Sequence, residues 1–197
     1  MMADGNIFKN FGYIDNTPIV KGTIPVEILE EVSMFVNRCR EIKNHPLAQL
    51  RNHKNAGINS YQVSVPQNLL MDSFLLAYLI RLGELYSGFV DLSIQKNRRK
   101  IRVVSDNLNH YDGFDVWVNF TYKGDSNPFH THNGNLSGVI YYQNDGQETL
   151  FKNAPPFVGT KGDIIMFPSD FLHGVEEKTT DEERITLSYN LWVFQNR

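Results

Sequence analysis

What most constrains the fold is a change of texture after Ser87-Gly88. From there on, the chain breaks into short stretches of β-branched and aromatic residues, each closed by a turn signal. Ile101–Val104, Phe114–Tyr122, Leu136–Gln143, Glu148–Lys152, Asp163–Phe167 and Arg184–Phe194 read as strands. Lys123-Gly124-Asp125, Asn144-Asp145-Gly146, Pro155-Pro156 and Lys161-Gly162-Asp163 read as the turns between them. Before this change the pattern is different. Residues 1–23 read as extended, with a turn at Asn16-Thr17-Pro18. Thr23 is placed to cap a helix that has Pro25 in its first turn. Ile28, Leu29, Val32, Phe35, Val36, Cys39 and Ile42 then recur at helical spacing, which predicts an amphipathic helix over about 25–43, stopping near Asn44-His45-Pro46.

Residues 46–66 form a polar connector with one extended piece, Tyr61–Val65. A second helix is predicted over about 67–87. Its residues Leu69, Leu70, Phe74, Leu75, Tyr78, Leu79, Leu82 and Leu85 cover much of its circumference, so it should be largely buried. Two helices followed by a run of short strands give a mainly β fold, with the helices on the outside of a sandwich or jelly roll. No repeat, low-complexity tract or composition break divides the chain, so residues 1–197 read as one domain.

With a net charge of -3, nothing in the overall composition argues for a nucleic-acid or anionic-membrane partner. The basic run Lys96-Asn97-Arg98-Arg99-Lys100 reads as a solvated turn. A single cysteine, Cys39, excludes an internal disulfide and fits a reducing compartment. It falls on the apolar stripe of the first helix and reads as a buried, inert thiol. The N-terminal MMADGNIFKN lacks the pattern of a signal peptide. The longest apolar stretch, Phe74–Ile80, is far short of the roughly 20 residues that span a bilayer. The expectation is a cytoplasmic protein without a membrane partner. The apolar second helix could equally complete a core or pair two copies into a homodimer.

Against this background stand three histidines and an arginine. His130 and His132 are two apart and share a face wherever the backbone is extended. His173 follows an apolar strand and a Pro168 turn, next to Gly174, where backbone can approach closely. Three converging imidazoles can hold a divalent first-row metal. Arg184 heads an alternating strand on which Arg184, Thr186, Ser188 and Asn190 share one face. Such a stripe is either the wet side of an edge strand or the lining of a pocket. A guanidinium there can grip a carboxylate with two parallel hydrogen bonds. Metal and carboxylate clamp together are the minimum equipment of an oxygenase with a keto-acid cosubstrate. His110-Tyr111-Asp112 spells the common His-x-Asp ligand pair, but it lies in a polar stretch ending at Gly113. His45 and His53 lie in the connector and read as surface residues.

From about Val116 to Phe194 the chain resembles the Fe(II)/2-oxoglutarate-dependent oxygenases, on their prolyl-4-hydroxylase-like side, and most of all oxygenases of phages and marine bacteria. The matching pieces are Phe120-Thr-Tyr-Lys-Gly124, His130-Thr-His132, Ser137-Gly-Val-Ile-Tyr-Tyr142, Gly162-Asp-Ile-Ile-Met-Phe-Pro168, His173-Gly-Val175 and Arg184-Ile-Thr-Leu-Ser188. The resemblance implies a double-stranded β-helix (jelly-roll) core over about 100–195, with two supporting helices over about 24–88. It implies Fe(II) on His130, His132 and His173, with 2-oxoglutarate and O2 as cosubstrates. Arg184 would pair with the distal carboxylate of 2-oxoglutarate, and Tyr122, Tyr142 and Thr186 or Ser188 would help to hold it. The prime substrate would be a peptide or protein side chain or a small molecule. The family pattern has Asp or Glu where this chain has His132, which leaves a bound metal one unit more positive. Two other readings remain open at this point: a three-histidine, cupin-like metalloenzyme that uses no keto acid, and a non-catalytic jelly-roll binding module.

Overall fold

A computed structural model describes residues 11–44, 50–51, 60–89 and 114–191. It is mainly β, with two antiparallel sheets facing one another as a double-stranded β-helix. The strands are β1 (Gly12–Tyr13), β2 (Val20–Thr23), β3 (Leu50–Arg51), β4 (Tyr61–Ser64), β5 (Phe114–Thr121), β6 (Asn127–His130), β7 (Leu136–Gln143), β8 (Thr149–Phe151), β9 (Ala154–Phe157), β10 (Asp163–Pro168), β11 (His173–Val175) and β12 (Arg184–Leu191). Among the described residues the large sheet has eight strands in the order β1-β2-β10-β7-β12-β5-β4-β3, and the small sheet four, in the order β6-β11-β8-β9. The helices are α1 (Val26–Ile42), α2 (Gln67–Leu70) and α3 (Phe74–Phe89). No helix among the described residues is long and apolar enough to cross a membrane.

The large sheet is apolar on its outer face. Val118 and Phe120 of β5, Ile140 of β7, Ile164 and Met166 of β10, and Ile185, Leu187 and Tyr189 of β12 pack there. They meet Ile28, Val32, Phe35, Val36 and Cys39 of α1 and Leu75, Tyr78, Leu79 and Leu82 of α3. A second cluster lies between the sheets, with Val139, Tyr141, Ile165 and Phe167 of the large sheet against Phe151 of the small one. Period-two alternation therefore sets what each strand gives to the helices and what it gives to the interior. Cys39 is buried, and burial pushes its thiol up to about 12, so it stays protonated as the sequence suggested.

Three expectations about elements need correction. Thr23 does not cap α1. It ends β2, its hydroxyl donates to Asp163 Oδ1 at 3.4 Å, and α1 opens behind Pro25 without a side-chain cap. The second helix is split. Ser73 accepts the Leu76 amide on its hydroxyl at 3.1 Å, and Glu31 of α1 accepts the amides of Phe74 and Leu75 at 3.1 and 2.6 Å. That double cap satisfies the orphan donors of a new helix start and favours an acidic group beside it, so α3 begins there instead of continuing α2. Pro155-Pro156 is not a turn but part of β9, an outer strand of the small sheet, where a missing amide donor is tolerated. The predicted strand Ile101–Val104, the run 96–100, His45, His53 and His110-Tyr111-Asp112 lie outside the described residues.

Candidate metal centre

The small sheet positions two of the three histidines. His130 ends β6 and His173 begins β11, and the antiparallel register sets them directly opposite one another. Gly174 makes this pairing possible. A Cβ built there would lie 2.8 Å from the Asn127 carbonyl oxygen and 3.0 Å from the Phe129 amide nitrogen, so only glycine lets β11 lie this close to β6. The chain leaves β6 after His130, and the backbone amide of His132 then donates to the Ser169 carbonyl at 2.9 Å. This returns the third imidazole to the other two. The rings of His130, His132 and His173 are 4.5, 4.8 and 5.0 Å apart, centre to centre. One ligand atom from each lies within 4.8 Å of the others.

The tautomers fit a metal. His130 Nδ1 lies 2.7 Å from the Pro128 carbonyl oxygen, and His173 Nδ1 lies 2.8 Å from that of Phe171. A carbonyl oxygen can only accept, so each Nδ1 carries a proton and Nε2 is the ring nitrogen that can serve as the ligand atom, the arrangement seen in metal-binding histidines. His173 is buried against Phe167, with ring centres 4.6 Å apart. Loss of water around the imidazolium holds its pKa down at about 4; the Phe171 carbonyl opposes this and His130 adds a little to it. His173 is therefore neutral and ready to ligate at pH 7. Trp117 of β5 packs edge-on to His132, with ring centres 5.6 Å apart.

The same cavity runs inward to β12, the strand with β7 and β5 on its two sides. Every residue of β12 is buried, including the polar stripe of Arg184, Thr186, Ser188 and Asn190. Buried polar groups are costly unless paired, and most of the stripe is paired. Asn119 Nδ2, opposite Thr186 on β5, donates to Thr186 Oγ1 at 3.0 Å and Ser188 Oγ at 2.8 Å, while Trp117 Nε1 donates to Asn119 Oδ1 at 2.9 Å. Ser137 donates to Asn190 Oδ1 at 2.7 Å.

Arg184 is the exception. It is 4% exposed, and Nη2 donates to Thr149 Oγ1 at 3.1 Å, but Nε has no partner. The Tyr141 ring lies under the guanidinium at 5.6 Å, and Tyr141 Oη sits 2.7 Å from Thr149 Oγ1. Burial lowers the guanidinium pKa, while Tyr141 and Asp145 act to raise it. Asp145 itself is held by the buried Lys178 at 2.5 Å. Among the described residues no carboxylate forms an ion pair with Arg184. The site is thus a buried cation with donor capacity to spare, in the same cavity as three imidazoles.

The structure brings His130, His132, His173, Arg184, Thr186 and Ser188 to one cavity. It does not bring Tyr122 or Tyr142 there, a correction to the sequence reading of both. Tyr142 Oη meets Ser33 of α1 at 3.0 Å, because the pairing of Tyr141 with Thr186 turns Tyr141 inward and its neighbour outward. Tyr122 follows β5 and donates to Glu183 Oε1 at 2.6 Å, while Arg40 holds the other oxygen of Glu183 at 2.6 Å. Sequence reasoning missed Asn119, Thr149, Tyr141, Trp117 and Gln62. Gln62 is 7% exposed and lines the cavity with its Oε1 unpartnered. A signal existed on β5, where Trp117, Asn119 and Thr121 alternate with Val118 and Phe120.

By sequence, the chain matches no protein-family model and no curated protein. Its fold is similar to solved structures. A prolyl-4-hydroxylase from Pseudomonas putida aligns with a TM-score of 0.56 at 11% identity, covering 92% of this chain and 95% of its own. A prolyl 4-hydroxylase from Phytophthora capsici aligns with a TM-score of 0.57 at 14% identity, covering 91% of this chain and 60% of its own. The non-heme alpha-ketoglutarate-dependent epimerase of nogalamycin biosynthesis aligns with a TM-score of 0.52 at 13% identity, covering 88% and 76%. The chain therefore has the double-stranded β-helix fold of prolyl 4-hydroxylases and of a non-heme alpha-ketoglutarate-dependent enzyme, with three histidines and a buried arginine sharing its cavity.

Proposed function

We propose that this protein is an iron(II)- and 2-oxoglutarate-dependent oxygenase, a hydroxylase of a peptide side chain or a small molecule. The observation that carries the reading is Arg184, a buried guanidinium with an unpartnered Nε in the same cavity as the three-histidine cluster. A buried cation without a counter-ion is costly, and a ligand carboxylate would remove that cost. The donor set fits the metal as well: three imidazoles, two with Nδ1 committed to carbonyls and Nε2 as the ligand atom, suit a divalent ion.

When bound, iron with 2-oxoglutarate and O2 supplies the oxidising chemistry, in which the keto acid becomes succinate and CO2 and a substrate C–H bond is oxidised. The chain's own residues bind and orient. His130, His132 and His173 would hold the metal. Arg184 would take the distal carboxylate of 2-oxoglutarate, with Thr149, Thr186 and Ser188 hydroxyls beside it, so that the keto-acid end points to the histidines. Asn119 fixes the Thr186 and Ser188 hydroxyls. Arg184 is buried, and a charge pair formed there would be stronger than one in water.

The test is succinate release from 2-oxoglutarate by iron-loaded protein exposed to O2. Wild type should produce it and His173→Ala should not. Arg184→Ala should raise the 2-oxoglutarate requirement by tens to thousands of fold, the roughly 2–5 kcal/mol typical of a charge-assisted pair. An unchanged requirement would remove the role given to Arg184. His132 favours one rival, a three-histidine metal enzyme that uses no keto acid. Iron binding without any dependence on 2-oxoglutarate would select it.

A further inference from the structure

Three imidazoles are neutral ligands, so a divalent ion on them keeps both of its charges. Arg184 adds a third positive charge to the same cavity, and among the described residues that line it none is Asp or Glu. Nearby carboxylates are engaged elsewhere. Asp125 Oδ2 accepts from the Ser60 amide and hydroxyl at 2.7 and 2.6 Å. Asp145 is paired with Lys178, and Glu183 with Arg40 and Tyr122. A divalent ion on the histidines would thus share a cavity with Arg184 that no carboxylate lines among the described residues, and Asp145, which acts on the guanidinium without lining the cavity, is already paired with Lys178.

We propose that the centre binds its metal and a dianionic dicarboxylate as a coupled unit, each weakly without the other, because His132 stands where a carboxylate would have balanced one charge. The inference rests on the keto-acid reading above. It adds that the cosubstrate supplies the site's missing negative charge. Coupling of this kind is reciprocal: the factor by which the dicarboxylate tightens the metal is the factor by which the metal tightens the dicarboxylate.

The experiment measures Co(II) affinity by calorimetry and by the cobalt visible spectrum, with and without saturating 2-oxoglutarate. Glutarate serves as a dicarboxylate that neutralises charge but has no keto oxygen to chelate. In wild type, 2-oxoglutarate should tighten Co(II) by about a hundredfold, and glutarate by a smaller factor. In His132→Asp the 2-oxoglutarate factor should fall by about tenfold, since the protein now carries the balancing charge. In Arg184→Gln, Co(II) alone should bind more tightly than to wild type, a gain that a misfolded variant would not show. Equal coupling factors in wild type and His132→Asp overturn the proposal, as does Arg184→Gln binding Co(II) no more tightly than wild type. If the cobalt spectrum still shifts with 2-oxoglutarate in those cases, the oxygenase reading survives. A cobalt spectrum indifferent to 2-oxoglutarate overturns both.

Discussion

His173 is where a single residue ties the site to the stability of the fold. Burial holds its pKa at about 4, against about 6.5 for a free imidazole. Both folded and unfolded chains carry it neutral above pH 6.5, so it costs nothing there. As pH falls from 6.5 towards 4, the unfolded chain takes up a proton that the folded chain refuses, and stability is lost across that window. The full loss is about 3 kcal/mol, at roughly 1.4 kcal/mol per pH unit. Urea titrations of metal-free protein at pH 7 and pH 4.5 should show wild type losing about 2–3 kcal/mol more than His173→Gln. Equal losses would show that the imidazole is not held neutral. The three histidines and Arg184 were legible because their residue types and spacing carry chemistry directly. Tyr142 was not separable from Tyr141, since two adjacent tyrosines differ only in strand parity. The pairing of β7 with β12, irregular between Ile185 and Thr186, settles which one turns inward.

Elements were legible where period-two alternation ran long. β5, β7 and β12, eight residues each, match their predicted starts and differ little at their ends, apart from the part of the last strand beyond Leu191, which lies outside the described residues. Short elements were harder. β6 contains Pro128 and β9 contains Pro155-Pro156, and proline reads as a turn unless the strand is known to lie at an edge. The break between α2 and α3 escaped because apolar spacing continues through it; the signal was Asp72-Ser73, and half of the cap comes from Glu31, over forty residues away. The pairing of β6 with β11 depends on Gly174. Gly174→Ala places a methyl against the backbone at Asn127 and Phe129 and should push the strands apart. The expected cost is about 1–3 kcal/mol of stability, together with weaker Co(II) binding as His130 and His173 lose their register. Unchanged metal affinity in a folded Gly174→Ala protein would show that this pairing does not set the site.

At the scale of the whole molecule, layer order was legible and long-range pairing was not. Helices outside a run of antiparallel strands followed from composition and period. Buried polar pairs joining distant loops did not, because surface and buried charges look alike in sequence. Lys178 is the clearest case. It is fully buried, with Nζ on Asp145 Oδ2 and Thr180 Oγ1 at 2.5 Å each. Lys178→Met leaves Asp145 buried without a partner and should cost about 3–5 kcal/mol in chemical denaturation. Lys178→Met combined with Asp145→Leu should recover most of that loss; a double variant no more stable than the single one would show that the charge pair is not the cause. The division of the site between sheets has a mechanical consequence. His130 and His173 belong to the small sheet and Arg184 to the large one, so a molecule held at both ends ties the two sheets together across the interior. Breathing of one sheet against the other, visible as amide hydrogen exchange, would then slow throughout both sheets once that tie is in place, and the fold would be stiffest when its own ligands complete it.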